Sequence, residues 1–197
     1  MTKYARIVSS GSYLPEKVLT NKELESRVDT SDEWITERTG IKERRIAGEN
    51  ETSVDLAYKA SIDAISKSNI DKNNIGAIFL ATCTPERKFP SSAVLLQNKL
   101  NIKDAFSFDI NAACTGFVYA LDIAKKYIES GQIKYALVVG TEKITSLLDW
   151  ADRNTCVLFG DGAGAMIVAA SNEPGIISRT IGSDGSFKDL LTVNTDL

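Results

Sequence analysis

Residues 106–128, FSFDINAACTGFVYALDIAKKYI, decide the fold class of this chain, because a strand-like run passes there into a helix-like one. The run AFSFDI at residues 105–110 predicts a strand. After Cys114, apolar side chains recur almost all round a helix, and polar side chains return only in its last turns. This pattern predicts a helix that is buried over its first turns, reaches the surface near its end and stops at Gly131.

The rest of the chain alternates strands with helices. Apolar or alternating runs predict further strands at residues 5–15, 76–82, 134–140, 163–170 and 175–182, the last two adjacent and joined by the turn SNEPG. Helices are predicted over 52–68 and 91–100, and before them two short helices with Thr-x-x-Glu capping boxes, Thr20 with Glu23 and Thr30 with Glu33, the second ending at Gly40. Strands that alternate with helices indicate an α/β layered sheet.

The composition excludes several classes of protein. The chain has 197 residues, enough for one domain or a domain and a fraction, and 43% of them are hydrophobic, which is ordinary for a soluble globular protein. A net charge of −3 gives no general attraction to nucleic acid or to an anionic membrane. No apolar run approaches the roughly 20 residues that cross a bilayer, and the start of the chain does not resemble a signal peptide. We therefore expect a cytoplasmic protein.

Cysteine and histidine counts narrow the chemistry. The chain contains no histidine, which removes Ser-His and Cys-His pairs and histidine-based metal sites within these residues. The three cysteines, Cys83, Cys114 and Cys156, are widely spaced and form no CxxC pair, so neither a disulfide framework nor a zinc site is expected. The prediction is a reduced protein without a bound metal.

Cys114 is the candidate nucleophile. It precedes the predicted buried helix, where unpaired N–H groups and the positive end of the helix dipole favour the thiolate form, and small neighbours leave room for a ligand. The alternative is a small buried hydrophobic residue, which most cysteines are. Cys83 and Cys156 border apolar runs without a helix that opens on them, so both are predicted to be packing residues.

A glycine-rich run near the end of the chain could bind a dinucleotide or could serve tight turns and packing. The run FGDGAGAMIVAA fits a GxGxxA dinucleotide-binding pattern, but residues 166–170 predict a strand where that motif needs a helix. These glycines are therefore interpreted as turn and close-packing positions.

Trp34 and Arg38 are four residues apart on a short helix and share a face, so they could hold a flat base and attract phosphates. A buried Trp beside a solvent-reaching Arg is equally consistent with this spacing.

Six motifs together resemble β-ketoacyl-acyl carrier protein (ACP) synthase III of the thiolase superfamily: DTSDEWITERTGIKERR, FPSSA, NAACTGFVYAL, KYALVVG, DRNTCVLFGDGAGA and EPGIIS. The match runs from Tyr4 to about Thr192. It implies an α/β thiolase-like fold, of which this chain is the first half: a mixed five-stranded sheet with a buried central helix that carries the cysteine, within a five-layered αβαβα whole. Residues 1–182 would form that half, and residues 183–197 would begin the connection to a second half.

The resemblance also implies a function. The family's nucleophile falls on Cys114, which would take an acyl group, usually acetyl, from acyl-CoA before condensation with malonyl-ACP to 3-ketoacyl-ACP at the start of type II fatty acid synthesis. Family contacts to coenzyme A carry over to Thr30, Trp34, Arg38 and Arg153. Phe89 matches an aromatic that a dimer partner inserts into the acyl pocket, so a homodimer is implied, with no cofactor besides the acyl-CoA substrate. Asn154 differs from the glycine frequent in the family.

The family's histidine and asparagine, which assist decarboxylation, lie in the second half and have no counterpart among these residues. Two alternatives therefore stay open. The chain could be a truncated, non-catalytic subunit that binds coenzyme A or a partner chain. It could instead belong to a condensing enzyme of secondary metabolism, with another primer or acceptor.

Overall fold

A single mixed sheet organises the chain in the computed structural model, which describes residues 4–193. Its five strands are β1 Tyr4–Tyr13, β4 Ile75–Ala81, β5 Phe106–Ile110, β6 Tyr135–Glu142 and β7 Gly162–Ser171. They lie in the order β1-β7-β6-β4-β5. Strands β6, β4 and β5 are parallel, and β7 is antiparallel to both of its neighbours. The predicted mixed five-stranded sheet is confirmed.

Helices cover both faces of the sheet, and the side chains of the interior strand β4 alternate between the two cores that result. Ile78 and Leu80 enter the core under α3 (Ser53–Ser68) and α4 (Ser92–Leu100). Ala77 and Phe79 enter the core under the central helix α5, which spans Gly116–Glu129. The continuous apolar run of β4 thus reflects burial on both faces, as the sequence predicted.

A smaller unit packs beside the sheet on a third core. It consists of the hairpin of β2 (Lys17–Thr20) and β3 (Glu43–Ile46), with the helices α1 (Asn21–Glu25) and α2 (Asp32–Thr39) between these strands. The buried side chains of this third core are Leu19, Leu24, Ile35, Cys156 and Val157. Since Cys156 and Val157 come from the segment between β6 and β7, the core fixes that segment against α2.

The two short helices begin differently from one another. Thr20 and Glu23 form the predicted capping box of α1. The predicted box of Thr30 with Glu33 is wrong, because Ser31 is the extended residue before α2 and its hydroxyl accepts from the Trp34 N–H at 3.0 Å. At the other end, Gly40 caps α2 with a φ of 73°, a left-handed conformation that suits glycine.

Two other predictions change. Residues 175–182 form no strand; only the Ile176 N–H bonds to β1, at the carbonyl of Ala5. Helix α5 is buried on one face rather than all round, and Val118 on its other face is 41% exposed. The glycine-rich run leads into strand β7 and not into a helix, which confirms that it is not a GxGxxA dinucleotide-binding motif. Within residues 4–193, no helix is long and apolar enough to span a membrane.

Candidate functional site

Three of the candidate residues lie in the segments that follow the carboxyl ends of strands β4, β5 and β6, at one end of the sheet. Because these strands are parallel, the segments that follow them emerge side by side. Residues 82–91 follow β4 and include Phe89; residues 111–115 follow β5 and include Cys114; residues 143–161 follow β6 and include Arg153. In open α/β sheets, the crevice outside the carboxyl ends of the strands is the usual ligand site.

Cys114 lies in a single 3₁₀ turn, Ala113–Thr115, directly before α5. Its side chain is exposed, so the alternative of a buried packing cysteine is wrong for this residue. Ala113 has a φ of 44°, in the left-handed region that costs a residue with a side chain of order 1–2 kcal/mol. Strain of this kind persists where the surrounding structure enforces it, and such positions cluster at functional sites.

Cys83 follows β4 and is held by Glu142, the last residue of β6. The Glu142 carboxylate accepts from the Cys83 N–H at 2.8 Å and from its thiol at 3.3 Å. Burial, followed by the charge and the hydrogen bond of Glu142, raises the pKa of the Cys83 thiol to about 12. Cys83 therefore stays protonated near neutral pH.

Cys156 is fully buried in the third core, as predicted for a packing residue. Burial raises the pKa of its thiol, and the nearby carboxylate of Asp152 adds to the effect. Of the three cysteines, only Cys114 combines an exposed sulfur with a position before a helix.

Trp34 lies against two guanidinium groups. The Arg38 Cζ lies 4.5 Å from the centre of the indole ring, and the Arg153 Cζ lies 4.8 Å from it. Arg153 also pairs with Asp29, at 3.1 Å between Nη1 and Oδ2. Three of the four residues that the resemblance assigns to coenzyme A thus meet at one ring. The shared face of Trp34 and Arg38 is confirmed, and their ligand stays a prediction.

Thr30, the fourth predicted coenzyme A contact, precedes α2 on the same segment. Its Oγ1 atom is buried, yet within residues 4–193 it has no hydrogen-bond partner. A buried hydroxyl without a partner costs about 1–3 kcal/mol, which a ligand acceptor or a water could remove. In the chain, Thr30 lies four positions before Trp34.

Phe89 belongs to the segment after β4 and is 84% exposed. Full burial of a large apolar side chain is worth about 1.5–3 kcal/mol, and the exposed Phe89 ring does not gain this free energy within its own chain. The exposure is compatible with insertion into another chain, and the predicted dimer contact stays a prediction.

Sequence reasoning missed Glu142, Arg27 and Trp150. Arg27 lies 5.7 Å from the centre of the Trp150 ring, and that ring packs on the same third core as Trp34. No local motif marks these residues, because each contact joins segments that are far apart in the chain. Among the described residues, no group of three His, Cys, Asp or Glu could hold a metal ion.

Comparison with known proteins adds the family context. A family model described as 3-oxoacyl-[acyl-carrier-protein] synthase III matches residues 108–185, which include both Cys114 and Arg153. A curated β-ketoacyl-[acyl-carrier-protein] synthase III from Ehrlichia canis is 54% identical over 191 residues, or 96% of this chain and 60% of the relative.

Solved structures agree with these sequence matches. The β-ketoacyl-[acyl-carrier-protein] synthase III of Thermus thermophilus superposes with a TM-score of 0.93 at 41% identity, over 98% of this chain and 60% of that one. The priming β-ketosynthase of the R1128 polyketide biosynthetic pathway gives a TM-score of 0.86 at 40% identity, over 88% of this chain and 52% of that one. The chain thus spans about 60% of the length of the curated relatives it matches, and the predicted resemblance and thiolase-like fold are confirmed.

Proposed function

Because sequence and fold match β-ketoacyl-ACP synthase III over nearly the whole chain, we propose that this chain carries the acyl-transfer site of such a condensing enzyme. The protein then starts type II fatty acid synthesis from acyl-CoA, usually acetyl-CoA, and malonyl-ACP. The observation that carries the proposal is the exposed Cys114 in a strained turn before α5.

In the first half-reaction the Cys114 sulfur attacks the thioester carbonyl of acyl-CoA. The bond from that carbonyl carbon to the coenzyme A sulfur breaks, coenzyme A leaves as a thiol and the acyl group stays on Cys114. Backbone N–H groups of the turn, including that of Cys114, are the proposed donors to the oxyanion that forms. Thr30, Trp34, Arg38 and Arg153 are proposed to hold the nucleotide end of coenzyme A, supported by the two guanidinium groups on one indole ring.

In the second half-reaction malonyl-ACP loses carbon dioxide, and the resulting carbanion attacks the acyl group on Cys114. The carbon–sulfur bond breaks, which frees the Cys114 thiolate and gives 3-ketoacyl-ACP. The resemblance assigns the decarboxylation to a histidine and an asparagine that have no match within these 197 residues, which contain no histidine. We therefore assign the acyl transfer, but not the decarboxylation, to this chain.

Domain organisation and assembly belong to the same proposal. Residues 1–182 would form the first thiolase-like half and residues 183–197 the start of the connection, although residues 194–197 lie outside the described part. The protein would work as a cytoplasmic homodimer in which Phe89 reaches the partner's acyl pocket, a role supported by its 84% exposure.

Acetylation of the intact protein tests the proposal. After incubation with acetyl-CoA, peptide mass mapping should find one acetyl group on Cys114. Cys114→Ala should remove it, and the matched variant Cys83→Ala should keep it. If a folded protein takes no acetyl group, or takes it equally after Cys114→Ala, the proposed acyl transfer is wrong.

A second candidate has one observation in its favour, the 40% identity to a priming ketosynthase of a polyketide pathway. The chemistry at Cys114 would be the same, but the primer or the acceptor would differ. Acylation rates with acetyl-CoA and with longer acyl-CoA thioesters separate the two, since a fatty acid initiator of this kind should prefer acetyl.

A further inference from the structure

We propose that Glu142 keeps Cys83 as a hydrogen-bonded thiol, so that acyl groups and other electrophiles react at Cys114 rather than at the second thiol beside it. The part of this inference that concerns acyl groups rests on the proposed function.

The two cysteines are neighbours because their strands are. Cys83 comes two residues after β4, and Cys114 comes four residues after β5. These strands pair in parallel, with Ala81 opposite Ile110, and the ladder continues with a bond of 3.2 Å from the Thr82 N–H to the Ile110 carbonyl. Both thiols therefore leave the same edge of the sheet on adjacent strands.

Glu142 ends strand β6, on the side of β4 opposite β5, and contacts residues 82–84 directly after β4. Besides the two contacts to Cys83, its carboxylate accepts from the hydroxyls of Thr84 at 2.5 Å and Thr82 at 3.3 Å. The next residue, Lys143, donates its N–H to Thr84 Oγ1 at 2.9 Å. Four donors on one carboxylate fix both the turn and the rotation of the Cys83 side chain.

The electrostatics follow from this arrangement. Burial of the Cys83 sulfur is the largest effect on its thiol, and the Glu142 charge and hydrogen bond come next, with a smaller contribution from the neighbouring Cys114. With a pKa of about 12, well above that of an ordinary cysteine, Cys83 is almost entirely a neutral thiol at pH 7.5. Because the thiolate is the reactive form, Cys83 should react slowly with electrophiles, whereas Cys114 is exposed to them.

The low reactivity of Cys83 would protect an acyl thioester on Cys114. A thiolate at Cys83 could attack the acyl carbonyl, break its bond to the Cys114 sulfur and release Cys114 as a thiolate. The acyl group would then sit on a sulfur that the turn holds in a different place. Glu142 suppresses this exchange because it disfavours the attacking thiolate of Cys83.

Alkylation of the intact protein with iodoacetamide tests the inference. At pH 8 the wild-type protein should be labelled at Cys114 first, and Glu142→Gln should raise the labelling rate of Cys83 about tenfold, which corresponds to one pKa unit. Glutamine has nearly the same shape, so access to the sulfur hardly changes. The matched control Glu129→Gln removes a carboxylate at the end of α5 and should leave the Cys83 rate unchanged.

An unchanged Cys83 rate in a folded Glu142→Gln protein would overturn the inference, as would a wild-type Cys83 rate equal to that of Cys114. If the variant does not fold, the wild-type pH profile decides: Cys83 labelling should rise about tenfold per pH unit through pH 10, and a plateau below pH 10 rejects the inference. Failure of acetyl transfer to Cys114 would reject the proposed function without touching this result.

Discussion

Trp34→Ala should weaken binding of coenzyme A by about 1–3 kcal/mol, which is about 5-fold to 150-fold in Kd. The estimate is the usual value for the loss of one aromatic surface on which a base stacks. Arg153→Ala should cost less. Arg153 already lies 4.8 Å from the centre of the indole ring, so a base that enters between them replaces an existing contact of about 0.5–1 kcal/mol. For Arg153→Ala we therefore expect a change in Kd of about 5-fold or less.

Titration calorimetry on the intact protein measures these values. Trp34→Phe keeps an aromatic surface and should bind within a few-fold of wild type. Pantetheine, which lacks the nucleotide, should bind wild type and Trp34→Ala equally. Because Trp34 also packs on the third core, thermal unfolding must show that each variant is folded. An unchanged Kd for coenzyme A in folded Trp34→Ala would show that the indole and its two arginines are structural only.

Three further predictions concern reactivity, packing and pH. With iodoacetamide at neutral pH, Cys114 should be labelled well before Cys156, and acetyl-CoA should protect it; equal labelling of the two in the folded protein, by peptide mapping, contradicts the assignment. Gly11→Ala should destabilise the fold by about 3 kcal/mol or more, because the new Cβ would lie 2.2 Å from the Ala64 nitrogen, whereas Gly182→Ala, which meets nothing within 4 Å, should be nearly neutral in denaturant unfolding. Burial alone would raise the pKa of Asp55, but hydrogen bonds from Lys99 and Thr52 outweigh burial and lower it. The stabilisation by the Asp55 carboxylate is therefore present above about pH 4 and is lost as the pH falls further, so Asp55→Asn should cost about 1 kcal/mol at pH 7. A difference in stability from wild type that does not shrink in acid refutes this reasoning.

The elements of the fold could be predicted from local pattern, while their arrangement could not. Helix α3 and strand β4 are each read from residues within one window, because period and burial coincide there. The placement of β7 between β1 and β6 depends on pairing across the whole chain, which no window contains. The strand predicted over residues 175–182 does not form, because an apolar run becomes a strand only where a neighbouring strand can pair with it.

The candidate site divides in the same way. The position of Cys114 before a helix and the shared face of Trp34 and Arg38 could be predicted, because each depends on a local spacing. The family resemblance assigned Arg153 to coenzyme A, but its contact with Trp34 had no signal in the sequence, since the third core brings the two segments together. Glu142 had no signal at all, because its importance comes from which turn lies across the neighbouring strand.

The pairing of β1 with β7 has a consequence for synthesis of the chain. Tyr4–Tyr13 is made well before its partner in the sheet, Gly162–Ser171, which emerges about 150 residues later. At 5–20 residues per second, the first strand waits about 7–30 s on the ribosome before that partner exists. During this interval β4, β5 and β6 can already assemble with α3 and α4, because their pairings are more local. Strand β1 is thus made before every other strand of this sheet, yet it is among the last to be joined to it.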